Sequence, residues 1–84
     1  MNETNKRTED RKDVSIPATV RSKDGSYKTS CIVRDASTRG CQIVTRRVDE
    51  VPDVISLEIQ GLKSPREGQI VWREKNRAGV KFTN

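Results

Sequence analysis

The chain has 84 residues, of which 31% are hydrophobic and 35% charged, with a formal net charge of +5 and no histidine. That composition describes one small domain with a lean core under a charged surface. It leaves no run long enough to span a membrane and no histidine for acid–base chemistry at neutral pH.

Residues 1–13 are polar and carry both charge signs. With no apolar residue after Met1, this stretch is expected to be a flexible arm rather than part of a packed core. It also lacks the apolar segment of a secretory signal, so a cytoplasmic location is the expectation. From Val14 the pattern becomes period two. Val14, Ile16, Ala18 and Val20 alternate with polar residues, as in a half-buried strand. Pro17 within it points to an edge or a bulge. "KDGS" (Lys23 to Ser26) reads as a turn. A second strand is expected over about Tyr27 to Arg34 and a third over Cys41 to Thr45. "RRVDEVPD" reads as a polar connection with room for one helical turn. A fourth strand carries Ile55, Leu57 and Ile59. "GLKSPREG" reads as a loop, and a fifth strand spans Gln69 to Arg73. A sixth carries Ala78, Val80 and Phe82. Six short strands separated by turn signals predict an all-β, six-stranded antiparallel barrel over residues 14–84. Closing the sheet removes exposed edges.

Few residues offer chemistry. Cys31 and Cys41 flank the second turn and could face each other across a hairpin. In a reducing compartment they are expected to be small core residues rather than a redox pair. Two cysteines without histidine make a poor metal site. Adjacent acid pairs lie in polar segments, and no nucleotide-hydrolase or dinucleotide fingerprint occurs. An enzyme is therefore not expected, and neither a metal nor a cofactor is called for. Three aromatic residues are too few for a typical single-strand stacking surface. Trp72 and Phe82 fall on apolar strand faces, where core packing is expected of both rings.

Two constellations stand out. One is Arg7-x-x-x-Arg11 in the arm. The other is Asp35-x-Ser37-x-x-Gly40 between the second and third strands. Each is weak alone. Paired arginines in a charged arm are often only solvated, an Asp-x-Ser turn often bonds its own backbone, and Gly40 could simply supply a positive φ. Together they suit one kind of ligand. Guanidinium groups match phosphate oxygens and the O6/N7 edge of guanine and can stack on a base. A carboxylate complements the opposite guanine edge, where N1–H and the amino group donate. A serine hydroxyl adds a further partner, and a glycine admits close backbone approach.

The order R-x-x-x-R, strand, [D/N]-x-S-x-x-G resembles that of the PilZ domain family, the bacterial receptor modules for cyclic di-GMP. Here the two motifs read "RTEDR" and "DASTRG". The flanks "RKDVSIPATV", "VPDVISLEI" and "GQIVWREKNRAGVKF" resemble the family's strands as well, so the likeness covers about Lys6 to Phe82. It implies a six-stranded barrel that binds cyclic di-GMP without catalysis. By that resemblance, Arg7 and Arg11 would hold guanine and phosphate, Asp35 and Ser37 would take the other guanine edge, and Gly40 would shape the turn. Lys6 stands where many members carry a further arginine and would add charge. With no output domain visible, the signal would pass to an unidentified effector protein, from a monomer or weak dimer. Two alternatives remain at this point: a PilZ-like protein-interaction module without the nucleotide, and a small basic barrel that binds nucleic acid.

Overall fold

The computed structural model describes residues 13–84. Arg7, Arg11 and Lys6 thus lie outside the described residues. Six strands follow one another along the chain: β1 (Ile16–Ser22), β2 (Lys28–Arg34), β3 (Gly40–Val44), β4 (Val54–Ile59), β5 (Arg66–Glu74) and β6 (Arg77–Phe82). They form a closed antiparallel barrel in the order β1-β2-β3-β6-β5-β4. Closure comes from β1, which pairs with β2 on one side and β4 on the other. The expected all-β barrel is the fold observed.

The period-two pattern explains the interior. Ala18 and Val20 of β1, Cys31 and Val33 of β2, Cys41 and Ile43 of β3, and Ile55 and Leu57 of β4 all point inward and are buried. Val14 packs against this core from just ahead of β1. Pro17 stands near the start of β1, where its missing N–H costs little; its carbonyl accepts from Gln60 N at 3.1 Å. The fifth strand is longer than the sequence pattern suggests. Arg66 and Glu67, expected in a loop, pair with Leu57 and Ser56 of β4.

Cys31 and Cys41 are both buried free thiols. They do not face each other across the β2–β3 ladder, because its register opposes Ile32 with Val44 and Val33 with Ile43. Cys31 instead lies opposite Ala18, and Cys41 opposite Val80. Burial pushes both thiols up to about 12. They remain protonated at neutral pH and behave as small core residues.

The topology gives the barrel two different ends. Strands β3 and β4 are not neighbours, so the connection between them must cross one end of the barrel. It does so with a 3₁₀ turn, Val48–Glu50, and drops Val48 and Val51 into the core. Arg73 of β5 pins this crossing. Its Nη1 donates to the carbonyls of Val48 and Val51 at 2.7 and 2.8 Å, and its Nη2 bonds Asp53. The β1–β2 and β5–β6 turns lie at the same end. At the opposite end are the start of β1, the β2–β3 turn and the close of β6, since Ile16 pairs with Val33 and Gly40 with Lys81.

Candidate functional site

The β2–β3 turn is built on an unusual backbone. Asp35 has φ +49°, the left-handed region that aspartate tolerates better than most side chains. Gly40, by contrast, is not among the positive-φ glycines, which are Gly25 and Gly61. Its reason is space. A Cβ at Gly40 would come within 2.0 Å of the Val80 carbonyl oxygen, so β6 can pair this closely only against a glycine. The turn's conformational demand thus falls on Asp35, and its packing demand on Gly40.

Ser37 and Asp35 take different parts. Ser37 N donates to the Gly40 carbonyl at 2.8 Å, and the Ser37 hydroxyl accepts from Arg39 N at 3.1 Å. Ser37 therefore holds the turn through its own backbone, as Asp-x-Ser turns commonly do. Asp35 reaches out of the turn instead. Its Oδ2 accepts from Gln42 Nε2 at 2.9 Å.

Beside the turn, an open groove of about 340 Å3 runs over the outer face of β3, β6 and β5. Asp35, Ser37 and Gly40 line it together, as do Arg39, Lys81 and Trp72. Of the sequence-predicted site residues, the three in the turn are therefore brought together. Gln42, Gly79 and Trp72 form one cross-strand row on this face. A Cβ on Gly79 would meet Trp72 Nε1 at 2.1 Å, so the indole lies directly over the glycine backbone.

The placement of Trp72 corrects the expectation that it packs in the core. Trp72 is 39% exposed. The cause is a register shift between Ile70 and Trp72: Ile70 pairs with Val80, but Trp72 pairs with Gly79. A bulge inserts one residue on β5 and reverses the alternation beyond it. Ile70 still points inward, and the indole is turned onto the outer face. Phe82 is half-buried against the core, with the Arg66 guanidinium 4.1 Å above its ring.

Sequence reasoning missed Trp72, Gln42, Arg39 and Lys81 as groove residues. Two signals were present: a glycine inside β6, which marks a close approach, and the consecutive apolar residues Ile70, Val71 and Trp72, which break period two.

One contact places the arm's root. Asp13 Oδ1 lies 3.4 Å from Arg34 Nη2, and Arg34 immediately precedes Asp35 in the turn. The described chain therefore begins beside the turn, two residues beyond Arg11. Among the described residues there is no cluster of potential metal ligands and no helix long and apolar enough to cross a membrane.

The PilZ domain model matches residues 5–84 of this chain. The PilZ domain of the CeSA protein from a cellulose-synthesizing bacterium has the same fold. It superposes with a TM-score of 0.71 at 19% sequence identity, over 89% of this chain and 81% of that one. No curated protein matches the chain significantly. With the family model spanning both motifs and every strand, the chain belongs to the PilZ domain family.

Proposed function

We propose that this protein is a non-catalytic receptor for cyclic di-GMP that signals to a separate partner protein. The observation that carries the reading is the position of the arm's root. Asp13 lies 3.4 Å from Arg34, the residue just ahead of Asp35, so the described residues start beside the turn that lines the groove. Family membership supports the ligand, because PilZ domains are generally cyclic di-GMP receptors.

In this reading Arg7 and Arg11 close over the groove and hold phosphate and a guanine O6/N7 edge, with Lys6 adding charge. Asp35 accepts from guanine N1–H and the 2-amino group. Ser37 and Gly40 hold the turn in shape, and Gly40 lets the ladder come close. The groove has the mixed polarity such a ligand requires: one carboxylate for the base, the cations Arg39 and Lys81 for phosphate, and the Trp72 ring as an apolar wall. Ordering the arm on binding costs entropy and changes the surface that an effector meets. No cofactor takes part.

Trp72 is the single tryptophan, so its fluorescence reports on the groove directly. Cyclic di-GMP should change that emission saturably, and GMP should do so far more weakly. An emission that stays constant to high ligand concentration would refute the reading. Quenching by DNA that collapses steeply with added salt would favour a nucleic-acid binder instead.

A further inference from the structure

Asp35 is placed in the left-handed region at the start of the turn, directly after β2, and a carboxylate there can rotate about its own side-chain bonds. Recognition of a guanine edge needs both of its oxygens in one plane with the base. Something must therefore set the rotation. Among the described residues, Gln42 is the side chain that hydrogen-bonds it, through the 2.9 Å bond from Nε2 to Oδ2. An ionised carboxylate only accepts, so the Gln42 amide must present its nitrogen and turn its oxygen away. Gln42 is itself held. It stands on β3 opposite Arg34 and Gly79, half-buried on the face that carries the groove.

We infer that Gln42 is the positioning residue for Asp35 and thereby sets the groove's preference for guanine. This rests on the receptor reading above. Gln42 fixes the carboxylate plane before the ligand arrives, so the base meets an aligned acceptor pair. Its place in the row with Gly79 and Trp72 aligns that carboxylate with the floor and wall of the groove.

The test uses the full chain with Gln42→Met, which keeps length and removes the donor, and Gln42→Glu, which replaces the donor with a second carboxylate. Each is titrated with cyclic di-GMP and with cyclic di-IMP, the analogue lacking the 2-amino group. Gln42→Met should weaken cyclic di-GMP binding by about 3- to 10-fold, the worth of one hydrogen bond. It should also shrink the discrimination between the two ligands, which a merely structural role would leave unchanged. In Gln42→Glu the two carboxylates cannot both ionise at this separation without repulsion. Among the described residues, the other charged side chains of the turn and groove are Arg34, which pairs with the Asp13 carboxylate, and the cations Arg39 and Lys81. Lowering the pH supplies a proton, makes Glu at this position a donor, and should recover affinity that the native chain never loses.

Native affinity, native discrimination and a flat pH profile in both folded variants would overturn the inference alone. Failure of the native chain to bind either ligand would overturn the receptor reading and the inference with it.

Discussion

The two ends of the barrel solve opposite problems. At one, the chain must cross between strands that are not neighbours, and it does so with two buried valines and an arginine that bonds two carbonyls and a carboxylate. At the other, the β2–β3 turn leaves polar side chains along an open groove, with the arm's root beside it. The difference teaches how an 84-residue chain can hold its fold and keep an open polar groove at once. The crossing loop is closed by bonds within the chain, whereas the turn end keeps polar side chains along an open groove.

Substitutions should separate the ends. The largest effect is expected where the two roles meet. Gly40→Ala would drive a methyl group into the Val80 carbonyl, so the β3–β6 ladder must part. A loss of about 3 kcal/mol or more is expected in denaturant unfolding, and native stability would show that the close approach is not needed. Arg73→Ala should cost roughly 2–3 kcal/mol, since it strips hydrogen bonds from the crossing loop. Hydrogen exchange at Val48 to Asp53 should accelerate, while nucleotide binding persists in the folded fraction.

Trp72→Ala should cost less, about 1–2 kcal/mol, because the ring is partly in solvent. The same change should weaken cyclic di-GMP binding clearly. A loss of 3–5 kcal/mol, the usual range for a fully buried aromatic ring, would place the indole in the core after all.

The smallest effect is a pH dependence at the crossing end. Asp24 in the β1–β2 turn is lowered from 3.8 to about 2, first by the backbone N–H of Ser26 and then by the hydroxyls of Ser22 and Ser26. Its folded form favours the ionised state, so its contribution is present above about pH 4 and lost as pH falls toward 2. Asp24→Asn should flatten that part of the stability profile without touching the groove.

Much of the barrel is legible in the sequence because inward positions alternate cleanly. Ala18 and Val20, or Ile55 and Leu57, announce their strands without any knowledge of neighbours. The turn motif is legible too, since Asp35, Ser37 and Gly40 stand at fixed offsets. What escapes is set by pairing rather than by local pattern. The bulge that turns Trp72 outward is a matter of register with β6, where the indole lies over Gly79. Gly40 is glycine because of a carbonyl on β6, not because of its own φ. Gln42 looks like an ordinary solvent-facing residue of β3 until the register sets it beside Asp35.

The central claim, that the Asp35 turn is the fixed half of a nucleotide clamp, is tested most directly by calorimetric titration with cyclic di-GMP of the native chain and of Arg11→Ala. Micromolar or tighter binding by the native chain, abolished in Arg11→Ala with thermal unfolding unchanged, is the predicted result. Absence of binding heat and of competition in the native chain, or full affinity in Arg11→Ala, would contradict it.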